Sequence, residues 1–355
     1  MKKALFPLAA LVLVASCSND FVINGTVDGN LAVSGSTFVS LMDNTGEEVA
    51  RIPVENGKFT YTLPVDVTTC YSLVLPTGTG NSIISLIADK SKAKVHFGPD
   101  GADVTGSKLS KEFNDLYDTF RELTDKANED MSEALEADDD EAAEAIELKF
   151  AEDLVSTFTE PYLKNKDNYV GLNALHVLFE YLDYDEAADL YEKGGEIIHN
   201  DEDINRSLEA KKAEKDTSVG CKFIDISGLT AGGEEIKLSD YVGRGDYVLV
   251  DFWASWCGPC MRAVPNARAL LEKYGPKGFQ LLGVNCWERQ EGAGQLKAVE
   301  MNMTWPVIFA EDSAPAAYGI EAIPTLILFG PDGTIVERLL GEAGLFEAVS
   351  RHFEE

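Results

Sequence analysis

Two cysteines separated by two residues carry the clearest chemical signal in this sequence. Cys257 and Cys260 enclose Gly258 and Pro259, a spacing at which two sulfurs can close a small disulfide and open it again. The first sulfur is expected at the start of a helix, where unpaired backbone N–H groups and the positive end of the helix dipole favour a thiolate. The second sulfur, one turn inside, is placed to attack a mixed disulfide formed on the first. The motif therefore predicts a reversible dithiol–disulfide pair.

The residues before the pair indicate how it is held. Residues 247–252 form a short apolar run typical of a buried strand, and a helix should begin at residues 261–264. Asp251 lies between two apolar residues of that run. A carboxyl group buried there with little compensation has a raised pKa and can take or give the Cys260 proton. The alternative is an acid at a strand end that faces water, and the apolar neighbours favour burial.

Chain length and net charge limit the number of domains and the classes of binding partner. A chain of 355 residues predicts two or three domains. Its formal net charge of −31 argues against a nucleic-acid partner, since phosphate backbones are bound by stripes of Lys and Arg. Residues 107–213 carry 11 Lys and Arg against 30 Asp and Glu, which is −19 of that total. This stretch is predicted to be acidic, solvated and helical, and we assign it no binding role.

The N-terminus has the pattern of an export signal. A basic start is followed by an apolar run at residues 4–14 that is too short to cross a bilayer as a stable helix. Residues 14–17, Val-Ala-Ser-Cys, resemble a lipobox, so residues 1–16 are predicted to be a lipoprotein signal peptide and Cys17 the lipidated mature N-terminus. An ordinary signal peptide with a chance cysteine is the alternative. Export implies an oxidising compartment, and Ser18, by resemblance to lipoprotein sorting, favours the outer membrane of a Gram-negative cell envelope, facing the periplasm or the surface.

Several motifs within residues 216–355 occur together in one family. Residues 250–260 read Val-Asp-Phe-Trp-Ala-Ser-Trp-Cys-Gly-Pro-Cys, Pro265 follows eight residues after Cys257, and residues 322–325 read Ala-Ile-Pro-Thr. Together they resemble the TlpA/ResA-like group of the AhpC/TSA–thioredoxin family, which contains exported or membrane-tethered thiol-disulfide oxidoreductases. The resemblance implies an α/β thioredoxin fold, with the dithiol at the tip of the first core helix and a proline that kinks this helix.

The resemblance extends to segments around the core and departs from thioredoxins at one position. Residues 219–223 and 237–243 resemble the hairpin extension that precedes the core in this group. Residues 305–308 resemble part of its strand-and-helix insertion. Thioredoxins usually carry a lysine near Gly283 that interacts with the buried acid, and this chain lacks it, which leaves the coupling of the Asp251 pKa open.

The resemblance also implies a substrate site. In this fold the Ile323–Pro324 bond is cis, which places the Ile323 backbone beside the cysteines to pair with an extended substrate strand. An X-Pro bond in general is cis only about one time in twenty. Trp256, with Gly258 and Pro259 of the motif, is expected to complete the peptide-binding surface.

The rest of the chain is predicted to be a separate β-rich domain and a helical segment. Short runs of strand type, separated by turn residues, recur through residues 17–106 and predict a small β-sandwich without a catalytic grouping. The pattern resembles the β-rich module, of unestablished role, that precedes thioredoxin-like domains in envelope lipoproteins. The apolar period is helical through residues 107–215. The predicted fold is thus multidomain, with the thioredoxin fold at residues 216–355.

Cys70 and Cys286 are predicted to be packed in the core, and His176 and His199 to have packing or surface roles. Cys70, beside a strand, is expected in a core, and Cys286, soon after a core strand, as a buried spectator. Cys221 is isolated in the sequence, and His176 and His199 lack a partner at metal spacing. A zinc site at the dithiol needs a second ligand pair that the sequence does not offer, so we expect no metal and no cofactor.

These patterns predict a thiol-disulfide oxidoreductase that acts on protein substrates. The Gly-Pro dipeptide matches reducing thioredoxins and favours a reductase fed by a membrane electron donor, although a disulfide oxidase or isomerase fits the same motif. A peroxidase is disfavoured because the Pro-x-x-x-Thr/Ser-x-x-Cys arrangement is missing. A purely structural disulfide is disfavoured because so short a loop adds little stability. A non-enzymatic binding lipoprotein is the alternative from another class, and it predicts that function survives the loss of both cysteines.

Overall fold

The computed structural model describes residues 20–29, 31, 38–65, 68–78, 80–310 and 312–354. The predicted signal peptide and lipidated cysteine lie outside these residues. The chain forms two compact units, one within residues 1–182 and 189–200 and the other within residues 183–188 and 201–355. The acidic helical region, taken from the sequence as residues 107–215, is therefore shared between the two units.

The first unit contains the predicted β-sandwich. Its strands are β1 (Asp20–Val27), β2 (Phe38–Met42), β3 (Glu48–Pro53), β4 (Lys58–Pro64), β5 (Thr69–Thr77), β6 (Gly80–Ala88), β7 (Lys92–Gly98) and β8 (Gly101–Thr105). One sheet has the order β4-β1-β7-β8 and the other β3-β2-β5-β6. Phe21 and Phe97 of the first sheet share a hydrophobic core with Leu41 of the second, because alternate residues of each strand point inward. The sequence did not predict β3, β6 or β8, which are all edge strands.

Helices follow the sheets, as the change of apolar period predicts. They are α1 (Lys108–Glu136), α2 (Asp140–Asn165), α3 (Tyr169–Phe179), α4 (Tyr184–Lys193) and α5 (Glu196–His199). Ser107, Asp139 and Asn168 each accept a hydrogen bond from a backbone N–H in the first turn of α1, α2 or α3, which caps these helices. In the described part of the chain, no helix combines the length and apolar character that a membrane crossing requires.

The second unit contains the α/β fold that the resemblance implies, with a mixed sheet. Its elements are α6 (Glu202–Asp216), β9 (Ser227–Leu229), β10 (Glu235–Lys237), β11 (Tyr247–Trp253), α7 (Gly258–Tyr274), β12 (Phe279–Asn285), α8 (Ala293–Glu300), β13 (Val307–Phe309), α9 (Ser313–Ala317), β14 (Thr325–Phe329), β15 (Ile335–Leu340) and α10 (Leu345–Ser350). The sheet order is β10-β9-β13-β12-β11-β14-β15. Strands β11, β12 and β13 are parallel, whereas β14 is antiparallel to β11 and β15. The expected hairpin extension is β9 with β10, and the expected insertion contains α8 and β13.

Strand β11 lies inside that sheet and leads into the dithiol. It is buried from Val248 onward, as a strand covered on both faces must be. Leu249 and Trp253 pack in the core that includes the buried side of α7, and Phe252 packs in the core on the other face. Because side chains alternate along a strand, Asp251 points to the same face as Leu249 and Trp253. The sheet therefore directs the buried acid towards α7.

Candidate active site

The two cysteines of the motif form a disulfide at the N-terminus of α7. Cys257 caps the helix, and its Sγ accepts a hydrogen bond from the Cys260 backbone N–H at 3.1 Å. Gly258 and Pro259 form the first turn, where the missing N–H of proline costs no helical hydrogen bond. Pro265 lies inside the same helix. Cys257 is 4 % exposed and Cys260 is fully buried, so the first sulfur is at the outer side of the pair, where helix N–H groups favour negative charge.

Asp251 is buried on β11. It is 1 % exposed, and burial raises the pKa of its carboxyl group to about 7, because removal from water penalises the charged form. Among the described residues, Asp251 Oδ1 has no hydrogen-bond partner. The prediction that this acid is buried with a raised pKa is confirmed.

The position beside Asp251, where thioredoxins carry a lysine, is closely packed in this chain. Gly283 of β12 stands in register with Asp251. A Cβ atom added to Gly283 would lie 3.0 Å from Trp253 Nε1 and 3.2 Å from Val307 Cγ2, which is closer than ordinary van der Waals contact. A side chain at this position would therefore require the Trp253 indole or Val307 to shift slightly. With glycine here, burial is the cause of the raised Asp251 pKa.

The loop before β14 faces the outer sulfur. The Ile323–Pro324 bond is cis, as the resemblance implies. The carbonyl oxygen of Ile323 lies 3.6 Å from Cys257 Sγ. Thr325 Oγ1 donates to Ala322 O at 2.7 Å, which closes the turn around the proline. A stretch of backbone that can pair with an extended peptide therefore lies beside the outer sulfur.

Trp256 forms an exposed surface next to the disulfide. It is 42 % exposed, although its indole Nε1–H donates to Trp287 O at 2.7 Å. The Arg289 guanidinium lies 4.5 Å from the centre of the Trp256 ring. Trp287 has a φ of 54°, a left-handed conformation that is uncommon for a bulky residue. The loop after β12 thus fixes the orientation of an apolar side chain adjacent to Cys257.

Glu288 holds the loop that carries the motif, and the sequence did not predict this role. Its Oε1 accepts from the Ser255 backbone N–H at 2.6 Å, and its Oε2 accepts from Ser255 Oγ at 2.6 Å. Asn285 Nδ2 donates to the same carboxylate at 2.7 Å. Asn285 in turn packs on Gly294 of α8, where an added Cβ would lie 2.8 Å from Asn285 Nδ2. In the sequence Glu288 is one glutamate among many in an acidic chain, with no spacing that singles it out.

Among the described residues, Cys70, Cys221 and Cys286 carry free thiols. Cys286 is buried, and burial, with smaller effects from Asp251 and Glu288, raises the pKa of its thiol to about 12. Cys70 lies within β5 and is only partly buried, against the expectation of a core position, yet desolvation raises its pKa to about 11. Cys221 is partly exposed. Within the described residues, no group of three His, Cys, Asp or Glu could hold a metal ion.

A disulfide at the start of the first core helix, a buried acid behind it and a cis-proline loop in front define a thioredoxin-fold redox domain. Residues 219–338 match the AhpC/TSA family. Residues 21–113 match a domain of unknown function, DUF4369. The two matches divide the chain into a redox domain and a module without an assigned role.

Relatives of the redox domain have named activities. The thiol-disulfide oxidoreductase ResA of Geobacillus kaustophilus is 32 % identical over 138 residues, which cover 39 % of this chain and 77 % of that protein. The ResA of Geobacillus thermodenitrificans is 31 % identical over the same shares. A crystal structure of the thioredoxin domain of a thiol-disulfide oxidoreductase from Bacteroides vulgatus is 27 % identical and covers 38 % of this chain and 97 % of that chain, with a TM-score of 0.36. The chain belongs to the ResA/TlpA-like family of thiol-disulfide oxidoreductases.

Proposed function

We propose that this chain reduces disulfides in proteins of the bacterial cell envelope. The observation that carries the proposal is the carbonyl oxygen of Ile323, 3.6 Å from Cys257 Sγ and next to the exposed Trp256. A bare dithiol serves small thiols equally well, whereas a free backbone edge beside the sulfur suits an extended peptide. Gly258 and Pro259 place the helix N-terminus against the same surface.

The reaction is an exchange of two electrons between dithiols and disulfides. In the reduced protein the Cys257 thiolate attacks one sulfur of the substrate disulfide, forms a mixed disulfide and releases the other substrate sulfur as a thiolate, which takes a proton. The Cys260 thiolate then attacks Cys257 Sγ, which releases the second substrate thiol. The Cys257–Cys260 disulfide forms again, and the substrate has gained two electrons and two protons.

Asp251 supplies the proton transfer that the second step requires. Cys260 is fully buried, so its thiol must lose a proton to a group inside the domain before it can attack. Asp251 points to the α7 face of the sheet, and its pKa of about 7 suits proton exchange near neutral pH. We assign it as the general base for Cys260, acting through a bridging water.

The direction and the place of the reaction are part of the proposal. The Gly-Pro dipeptide favours reduction by resemblance to thioredoxins. In an oxidising compartment a reductase must be supplied with electrons, which requires a membrane protein that presents a dithiol of lower potential. A lipid on Cys17 would hold the chain at the outer membrane, facing the periplasm or the surface.

The reduction potential of the Cys257–Cys260 pair tests this proposal. The chain from Ser18 onward is equilibrated with glutathione or dithiothreitol buffers and its thiols are trapped. A potential near that of thioredoxin, about −270 mV, supports a reductase, whereas a value near −120 mV makes the chain a disulfide donor. The double variant Cys257→Ser/Cys260→Ser is the control for the remaining thiols. If the wild-type chain shows no reversible couple beyond this control, the binding-lipoprotein alternative is favoured.

A further inference from the structure

The segment that leads into the cis-proline loop is fixed by its side chain at Tyr318. This residue is fully buried. Its hydroxyl donates to Ile224 O at 2.6 Å and accepts from the Ile224 N–H at 3.0 Å. The chain continues from Tyr318 through Gly319 to Ile323, so the start of the loop is anchored only a few residues before the carbonyl that faces Cys257.

Arg338 of β15 holds the backbone of the same segment. Its Nη2 donates to Tyr318 O at 2.8 Å and to Gly319 O at 3.5 Å, and its Nη1 donates to Thr217 Oγ1 at 3.3 Å. The Arg338 side chain is only 16 % exposed, and the Glu214 carboxylate, 3.8 Å from Nε, is itself 57 % exposed. A guanidinium withdrawn from water is costly unless its donors are satisfied. The carbonyl and hydroxyl oxygens that accept from Arg338, more than its ion pair with Glu214, therefore compensate for the burial of the guanidinium.

The C-terminal part of α6 contacts both Arg338 and the segment that Arg338 holds. Thr217, at its C-terminal end, is fully buried, and Thr217 Oγ1 donates to Ala213 O at 2.6 Å while it accepts from Arg338. Gly319 has a φ of 58°, and an added Cβ would lie 2.5 Å from the Glu214 nitrogen. Glycine is required by both the conformation and the close approach.

One flank of the loop borders a pocket. A cavity of about 310 Å³ lies there, lined by Gly319, Ala322, Thr325, Arg338 and Leu340 among others. The hydrogen bonds that Arg338 donates hold the backbone of Tyr318 and Gly319 where the segment borders this pocket, while Ile320 and Ile323 pack in the core.

We propose that Arg338 is a positioning residue for disulfide exchange: by holding the segment before the loop, it sets the place of the Ile323 backbone beside Cys257. The inference rests on the proposed function, since it concerns how a peptide is received at this site. Exchange with a small thiol needs only the sulfurs, whereas a peptide substrate also needs the loop. Arg338 therefore governs the binding of peptide disulfides and leaves exchange with small thiols unaffected.

The test is Arg338→Met in the chain from Ser18 onward, with a disulfide-bonded peptide as substrate and dithiothreitol as the electron source. The KM for the peptide is expected to rise about ten-fold, the ratio that corresponds to 1.4 kcal/mol of binding. The kcat should stay within about two-fold of wild type, since a group that contributes only to binding changes KM alone. The rate at which dithiothreitol reduces Cys257–Cys260 directly should not change.

Three further variants keep the test decisive. Arg244→Met is the matched control, since Arg244 is exposed in the same unit and also donates to a backbone carbonyl, Ser239 O at 2.9 Å; it should leave KM unchanged. Arg338→Lys keeps the charge but not the fork of donors and should give an intermediate KM. Thr217→Val removes the hydroxyl that supports Arg338 and should also raise KM. If Arg338→Met does not fold, as judged by urea unfolding, these last two variants decide.

The outcomes separate this inference from the function it rests on. An unchanged peptide KM in folded Arg338 and Thr217 variants overturns the inference while the proposed function stands. An equal loss of the peptide and the dithiothreitol reactions also overturns it, because the effect would then lie at the sulfurs. If the wild-type chain does not reduce the peptide, the proposed function fails and the inference fails with it.

Discussion

At the scale of single residues, Asp251 and Cys260 form the proton-transferring side of the proposed mechanism. Both are buried, one on β11 and the other in the first turn of α7. In thioredoxins, which this domain resembles, a lysine usually interacts with the equivalent buried acid. Here Gly283 stands in register with Asp251 and supplies no charge, so desolvation is the cause of the raised Asp251 pKa.

Asp251→Asn should stabilise the oxidised protein by an amount that grows with pH. The ordinary pKa of the group is 3.8, and it is about 7 in the folded chain. The neutral acid therefore contributes its full stability to the folded chain below pH 3.8, and this contribution is lost as the pH rises to about 7. Asparagine does not ionise, so the variant avoids a loss on the order of 4 kcal/mol above neutral pH. Urea unfolding near pH 5 and near pH 8 measures the gain, and an equal difference at both would contradict it.

The same substitution should slow exchange with a peptide disulfide. Without a base for Cys260, we expect a fall in rate of roughly a hundred-fold and the loss of the inflection near pH 7. Asp246→Asn is the matched control, because Asp246 is a partly exposed acid just before β11. A variant at Asp251 that kept the wild-type pH profile would remove this residue from the mechanism.

At the scale of secondary-structure elements, the loop after β12 supports the loop that carries the motif. Glu288 joins Ser255 to Asn285, and Asn285 rests on Gly294 of α8. Trp287 and Arg289 of the same loop fix the indole of Trp256. Helix α8 is thereby connected, through Asn285 and Glu288, to Ser255, which lies two residues before Cys257.

Glu288→Gln should therefore destabilise the active-site loop. Glutamine can keep both N–H donors on its one oxygen, but it loses the negative charge that strengthens these bonds, and Ser255 Oγ would have to accept from the amide instead of donating. We expect a loss of about 1–3 kcal/mol in unfolding free energy and slower peptide reduction. Glu291→Gln, at an exposed position of the same loop, should stay within about 0.5 kcal/mol of wild type. Similar unfolding curves for the two variants would show that Glu288 is not a structural link.

Short sequence motifs predicted the dithiol and the cis-proline loop, whereas contacts between residues distant in the sequence were not predicted. The dithiol follows from the spacing of Cys257 and Cys260, whereas the role of Pro265 and the cis bond before Pro324 were expected only because their short motifs resemble those of a known family. Glu288 and Arg338 act on backbone groups that are distant in sequence, and a charged residue that satisfies a distant carbonyl or N–H leaves no periodic signal. The edge strands β3, β6 and β8 were missed for a related reason: an edge strand is often defined by its single neighbour more than by its own apolar alternation.

At the scale of the whole molecule, the redox unit begins before the family motifs do. The family match starts at residue 219, yet α6 belongs to the same compact unit as the sheet. Ile204 and Thr217 of this segment are fully buried. The sequence suggested a boundary near residue 215 because the charge pattern of α6 is that of a solvated helix, and its contacts with Gly319 depend on backbone groups that side-chain patterns do not reveal.

A chain that begins at Ser218 should therefore be less stable than one that begins at Asp201. The shorter chain loses Thr217 and leaves the Arg338 guanidinium with an unmet donor, which costs more than about 1 kcal/mol. Urea unfolding of the two chains measures the difference. The chain from Asp201 retains α6 and serves as the matched control. Equal midpoints and slopes would show that α6 is dispensable for the redox unit.

The thiols of Cys70 and Cys286 stay protonated in the folded chain, and this affects which disulfides form. Under the proposed export, five cysteines besides Cys17 would enter an oxidising compartment, and an odd number cannot all pair within one chain. With a pKa of about 11, Cys70 is a thiolate in only about one folded molecule in a thousand at pH 8, and the Cys286 fraction is smaller still. Since disulfide exchange proceeds through thiolates, the folded structure slows mispairing at Cys70 and Cys286 during repeated turnover at Cys257.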